Sequence, residues 1–124
     1  MRILIADDQD RVRFALRVLL GQQPGLQVVS EAAGGEGLLA QARDSVPDLI
    51  LMDWDLQGLP EAGGLEALRC ACPSAHIVVL SNRPGARRAT RDAGVDAFVS
   101  KGDPPERLLA VLRSCNCSYD ARNM

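Results

Sequence analysis

Asp7, Asp8, Asp53, Ser81 and Lys101 are the residues of this chain whose types and positions could do chemistry together. Each follows a short apolar or mostly apolar run: Ile3-Leu4-Ile5-Ala6 precedes Asp7-Asp8, Leu49-Ile50-Leu51-Met52 precedes Asp53, Ile77-Val78-Val79-Leu80 precedes Ser81, and Val95 to Val99, interrupted by Asp96, precedes Ser100-Lys101. Singly, each has an ordinary explanation, because an Asp at a strand end most often closes a turn or caps the next helix. Together they form a set. Carboxylates crowded at one place repel and raise a pKa unless a cation sits among them. A hard, oxygen-liking divalent ion suits such a cluster, and magnesium, which takes one or two carboxylates and keeps room for phosphate oxygens, suits it best. A carboxylate beside that ion can attack phosphorus to give an acyl phosphate. The ion and Lys101 then balance charge on the phosphoryl oxygens, and the Ser81 hydroxyl donates to one of them.

That chemistry requires an architecture that brings strand ends together. The four-residue apolar run before Asp53 is too short for a helix and unbroken by polar alternation, so it reads as a strand buried on both faces. Strands are expected at Arg2 to Ala6, Leu26 to Ser30, Leu49 to Asp53, Ile77 to Ser81 and Val95 to Val99. Between them lie helical patterns. Asp10 is expected to cap a helix with Val12, Ala15, Leu16 and Leu19 inward, ending near Gly21. Leu38, Leu39 and Ala42 mark a second helix, preceded by Gly34-Gly35, which fits neither G-x-G-x-x-G nor a P-loop and reads as a flexible turn. Leu65, Leu68, Arg69 and Cys72 share a face of a third helix, stopped by Pro73. A fourth, from about Pro84 to Ala93, has Ala86, Ala89, Thr90 and Ala93 inward and Arg87, Arg88 and Arg91 outward; a fifth opens at Pro104-Pro105-Glu106 with Leu108, Val111, Leu112 and Cys115 at core spacing.

Alternation of this kind predicts an α/β domain: a five-stranded, parallel, doubly wound, flavodoxin-like (βα)5 sheet. With strand order 2-1-3-4-5 the first and third strands are neighbours, and the site falls beyond the carboxyl ends where the order reverses. Residues 1–115 are expected to form the domain and 116–124 a frayed tail.

Composition narrows the function classes. A formal charge of −2 argues against general nucleic-acid binding. No apolar run reaches membrane length and no signal peptide opens the chain, so a cytoplasmic protein is expected. Of the 14 basic residues, all but Lys101 are Arg. Against that bias a lone lysine hints at a position where a guanidinium will not serve. The cysteines form two Cys-x-Cys pairs, Cys70/Cys72 and Cys115/Cys117. In the expected winding the third and fifth helices cover opposite faces, so the pairs cannot share a zinc ion, and core filling is the better reading for Cys72 and Cys115.

Asp7-Asp8-Gln9 with Val12-Arg13, Leu51-Met52-Asp53, Gly64-Leu65-Glu66-Ala67-Leu68, Leu80-Ser81, Ala93-Gly94-Val95-Asp96-Ala97-Phe98 and Ser100-Lys101-Gly102 resemble, over nearly the whole chain, the receiver domain of two-component response regulators. The stretch Lys101-Gly102-Asp103-Pro104-Pro105-Glu106 is most similar to receivers that precede a LuxR-type helix-turn-helix domain. The resemblance implies a phospho-accepting signalling domain rather than an enzyme acting on a separate substrate. In it Asp53 is the phospho-acceptor, and Asp7, Asp8 and Asp53, with the main-chain carbonyl of Asp55, hold Mg2+. Ser81 and Lys101 bind the phosphoryl group, and Ser81 with Phe98 forms the switch. A histidine kinase or histidine phosphotransfer protein is the implied donor, a homodimer on phosphorylation is a further implied partner, and neither membrane nor nucleic acid is bound by the chain itself. A DNA-binding output domain would belong to a longer protein, of which this chain is a fragment unless it is a stand-alone receiver.

The connection Gln57-Gly58-Leu59-Pro60-Glu61-Ala62-Gly63-Gly64 is longer than in the family, with Gln57 where Pro is common, and is expected to be loose. Asp55 and Asn82 also depart from the usual residues beside the site. Two other classes remain open. Asp53-Trp54-Asp55 fits the D-x-D of haloacid dehalogenase-type phosphatases, although that motif normally ends a first strand and needs a cap domain. A receiver fold could also bind partners without being phosphorylated.

Overall fold

The computed structural model describes residues 1–122, with side chains through residue 116. Strands β1 (Arg2–Ala6), β2 (Gln27–Ala32), β3 (Leu49–Asp53), β4 (His76–Ser81) and β5 (Ala97–Ser100) alternate with helices α1 (Asp10–Gly21), α2 (Gly35–Ser45), α3 (Gly64–Ala71), α4 (Ala86–Asp92) and α5 (Pro105–Arg122). All strand pairs are parallel, in the order β2-β1-β3-β4-β5. Among the described residues, no helix is long and apolar enough to cross a membrane.

The unbroken apolar runs take the centre of the sheet because both their faces are covered. Leu4, Ala6, Ile50, Met52, Ile77 and Val79 point to one face, where Leu38, Leu39 and Ala42 of α2 and Leu68 of α3 cover them. Their alternating neighbours, including Ile3, Ile5, Leu49, Leu51, Val78 and Leu80, point to the other and meet Leu20 of α1 and Leu108, Leu109 and Leu112 of α5. Each such Leu or Ile contributes about 1.5–3 kcal/mol by leaving water. Period-2 alternation in β3 therefore fixes the register: a slip of one residue would exchange the two cores. Pairing Ala6 with Met52 and Asp53 with Leu80 aligns the carboxyl ends of β1, β3 and β4. Cys72 lies in the first core and Cys115 against the second, on opposite faces as expected; the Cys117 side chain lies outside the described residues.

Several local expectations are corrected. Gln9, with extended backbone, precedes α1, and Asp10 is its first helical residue rather than its cap. Edge strand β2 runs to Ala32, where its partner β1 continues to offer ladder bonds. In α4 only Ala86 and Thr90 are buried, and Ala89 and Ala93 are exposed, because this seven-residue helix lies over a sheet edge. α5 continues to Arg122 through most of the expected tail. Nothing between Asn116 and Arg122 stops a helix, and adding residues to a formed one is far easier than starting it. The last two residues of the expected tail lie outside the described ones.

The connection from β3 to α3 is not loose. Leu56 and Leu59 are buried in the first core, and the Gly35 N–H donates to the Gln57 carbonyl at 2.8 Å. A Cβ on Gly35 would lie 2.3 Å from the backbone of Leu59, so this glycine is a contact surface rather than a flexible turn. At the far end Gly63 and Gly64, with φ of 111° and 68°, turn the chain into α3 through a region that side chains resist.

Candidate functional site

The parallel sheet delivers the polar residues to one edge. Asp7 follows β1, Asp53 ends β3, Ser81 ends β4 and Lys101 follows β5. Carboxylate oxygens of Asp7, Asp8 and Asp53 lie within 4.8 Å of one another, a spacing suited to a shared cation. The Lys101 ammonium closes the cluster, 3.0 Å from Asp7 Oδ2 and 3.5 Å from Asp53 Oδ2. One compact charge thus serves two carboxylates.

Asp7 is held from every side. Its Oδ1 accepts the Gln9 N–H at 2.9 Å, its N–H donates to the Ala32 carbonyl at 3.1 Å, and its carbonyl accepts from Arg13 at 2.5 Å. Its side chain is only 2% exposed, so these partners replace the water it has lost. Asp8 is exposed. Asp53 is 12% exposed, and its Oδ1 accepts the Asp55 N–H at 3.2 Å, which folds Asp53-Trp54-Asp55 into a tight turn. Burial pushes its carboxyl above the ordinary value and the Asp7 charge adds to this; the Asp55 N–H and Lys101 oppose without cancelling it. Burial acts to lower Lys101, yet the hydrogen bond to Asp7 and the attraction of Asp53 outweigh it, leaving the ammonium above its ordinary value. This is an acidic pocket that a small cation or a phosphoryl-cation pair would relieve.

Ser81 is buried, and its Oγ accepts the Arg83 N–H at 3.0 Å. The Lys101 N–H donates to the Ser81 carbonyl at 3.1 Å, so hydroxyl and ammonium sit on adjoining backbone. Phe98 pairs with Val79 across the ladder and is partly buried against the α2/α3 core, with the Arg87 guanidinium 4.8 Å above its ring. The Asp55 side chain turns from the acidic cluster to Arg83 at 3.1 Å, and its main-chain carbonyl lies on the turn that begins at Asp53. Beside this pair opens a cleft of about 780 Å³, bounded by Trp54, Gln57, Pro60 and Leu65.

All the expected carboxylates and the lysine therefore meet, Ser81 adjoins them through backbone, and Phe98 stands one strand away. Two residues gain roles that their types did not announce. Arg83 bridges the β4–α4 loop to Asp55. Arg13 grips the Asp7 carbonyl; its spacing of three from Asp10 on one helix was the only local sign of a paired side chain.

Comparison with known proteins agrees with this geometry. Residues 3–113 match the family described as the response regulator receiver domain. The nitrate/nitrite response regulator protein NarP of Escherichia coli is 34% identical over 115 residues, which make up 91% of this chain and 54% of NarP. A LuxR-family two-component response regulator from Aurantimonas is 31% identical, with a TM-score of 0.78 over 91% of this chain and 82% of that one. The isolated REC domain of RcsB from Salmonella enterica, solved in the presence of phosphomimetic BeF3-, is 26% identical with a TM-score of 0.78 over 92% of this chain and 88% of that one. The chain spans about half the length of the curated relatives it matches.

Proposed function

The chain belongs to the response regulator receiver domain family, and on that premise we propose that it accepts a phosphoryl group on Asp53 and passes the change to a partner-binding surface. The reading rests above all on one observation: Asp53 shares a 4.8 Å cluster with Asp7 and Asp8, under a lysine that contacts Asp7 and Asp53. The three carboxylates, together with the main-chain carbonyl of Asp55, are an all-oxygen donor set that fits Mg2+. When bound, that ion supplies neutralisation of the charge on the phosphoryl oxygens.

The chain's own residues do the rest. An Asp53 oxygen attacks the phosphorus of a phosphohistidine, the P–N bond breaks, and an acyl phosphate forms while the imidazole leaves. Lys101 exchanges part of its hold on Asp53 for the new phosphoryl oxygens. Ser81 gives up the role of acceptor for the Arg83 N–H and donates its O–H to the phosphoryl group. That movement draws the β4–α4 loop, and Phe98 follows into the space it leaves; the changed surface around α4 is what a partner reads. The donor is a histidine kinase or histidine phosphotransfer protein. A second phosphorylated copy and, in a longer protein, a DNA-binding output domain are the readers this scheme calls for, in the cytoplasm.

Intact mass after incubation with Mg2+ and phosphoramidate tests the proposal. One added phosphoryl group, labile to hydroxylamine and absent from Asp53→Asn, is the expected result. A folded wild-type protein that gains no mass with Mg2+ present would replace it with the phosphorylation-independent interaction module.

A further inference from the structure

We infer that Arg13 is the positioning residue for the acidic pair Asp7-Asp8, fixing the peptide that joins them and thereby setting the affinity of the site for a divalent cation. The inference rests on the cation reading above. Arg13 lies one turn into α1, and its side chain is only 15% exposed. Its guanidinium ties three elements: Nη1 donates to the Asp7 carbonyl at the end of β1 at 2.5 Å, Nη2 pairs with Asp10 in the first turn of α1, and Nε faces Glu31 of β2 at 3.5 Å. Glu31 is itself steadied by Arg17 at 2.5 Å on its other oxygen.

The acceptor matters more than the number of bonds. The carbonyl of Asp7 belongs to the peptide plane that leads into Asp8. Among the described residues, no hydrogen bond or ion pair holds the Asp8 carboxylate, so the peptide plane, which sets the position of its Cα, is the restraint that reaches it. Asp7, by contrast, is already fixed through Gln9, Ala32 and Lys101. Arg13 also touches none of the three clustered carboxylates, whereas Lys101 occupies oxygens on two of them. It can therefore order the ligands without competing for their lone pairs, as outer groups around metal sites do.

Charge and position make opposite predictions. If Arg13 acted as a nearby positive charge, its removal would deepen the acidic field and tighten cation binding. If it acts as a tether, removal weakens binding, and Arg13→Lys weakens it too, because an ammonium cannot span a carbonyl and two carboxylates in one plane.

The test is titration of the full chain with MgCl2, following the fluorescence of Trp54, the sole tryptophan and the neighbour of Asp53, with thermal melting on the same samples. Arg13→Met and Arg13→Lys should each raise the Kd for Mg2+ by about tenfold, the lower end of what loss of such outer groups costs. Arg17→Met, which removes the outer support of Glu31 and a stacking contact with Phe14 but touches neither Asp7 nor Asp8, should leave it unchanged. Folded Arg13 variants that bind Mg2+ as tightly as wild type, or more tightly, would overturn the inference. So would an equal loss in Arg17→Met. Should Arg13→Met fail to fold, Arg13→Lys alone decides. A wild-type protein with no saturable response would overturn the cation reading, and this inference with it.

Discussion

Replacing Gly35 by Ala should damage the molecule out of proportion to one methyl group. The ideal Cβ would lie 2.3 Å from both Cα and N of Leu59 and 2.4 Å from the Gly58 carbonyl carbon. These are backbone atoms, so no side chain can swing aside. To restore ordinary contact the loop must retreat by about 1 Å, which also stretches the 2.8 Å bond from the Gly35 N–H to Gln57 beyond useful range. Overpacking costs about 1–3 kcal/mol, and the lost bond about 0.5–1.5 kcal/mol. Alanine returns about 0.5–1 kcal/mol through its better helix propensity. The net loss spans about 0.5–4 kcal/mol and centres on about 2 kcal/mol, or roughly 8 °C in Tm for a domain of this size. Gly34→Ala provides the contrast: its φ is −163°, open to any residue, and its Cβ would meet only the Gln57 carbonyl oxygen at 3.3 Å. Circular dichroism melts of both variants check the reasoning. A Gly35→Ala protein melting within about 2 °C of wild type would refute it.

Three further outcomes follow from the charges. Lys101→Met leaves Asp7 and Asp53 without their shared cation, so urea unfolding in EDTA should show a loss of about 3 kcal/mol; most of it should return with Mg2+, and an equal loss in both buffers would contradict the shared-cation picture. Because the Asp53 carboxyl is raised in the folded state, chiefly by burial, its contribution to stability is complete below the ordinary value of 3.8 and is lost as pH climbs from there through its folded value; Asp53→Asn should therefore be more stable than wild type at pH 7 without Mg2+, with the advantage absent at pH 3. Burial raises the Cys72 and Cys115 thiols, so unfolded thiols ionise first and stability falls as pH rises past 9.0. Lys101 adds to this limb, since its raised pKa confers stability that is complete below 10.5 and fades as pH passes its folded value; Cys72→Ala should flatten the slope of stability against pH between pH 9 and 10.

The site was legible because strand ends advertise themselves. A charged residue at or just past the end of a short apolar run has few places to go in a parallel sheet, and Asp7, Asp53 and Lys101 went there. The central strands were legible for the same reason, since runs buried on both faces leave no polar alternation to misread. What stayed hidden depended on neighbours distant in the chain. Gly35 looks like any turn glycine until the backbone of Leu59 is set against it. Ala89 and Ala93 have core spacing, yet α4 lies over an edge strand and leaves them in water. The grip of Arg13 on Asp7 needs β1, α1 and β2 in place before it has meaning.

The division of labour between arginine and lysine gives the composition a physical sense. Arg13 reaches the Asp7 carbonyl and two carboxylates. Arg69 donates to the carbonyls of Ala75 and Gly94 and to Asp96, and Arg2 donates to the carbonyl of Ser45. These are fork tasks, in which a planar group with several fixed donors joins backbone from separate elements and never has to let go. Lys101 has the opposite task. Its single Nζ stands between two carboxylates, and a phosphoryl group on Asp53 would require that hold to be redistributed without dismantling the loop that carries it. A flexible stem with a point charge can turn from one oxygen to another; a fork locked to two acceptors would have to break both. In a chain whose other basic residues are all arginine, the one lysine thus stands between two carboxylates, while Arg2, Arg13 and Arg69 tie backbone carbonyls of separate elements together.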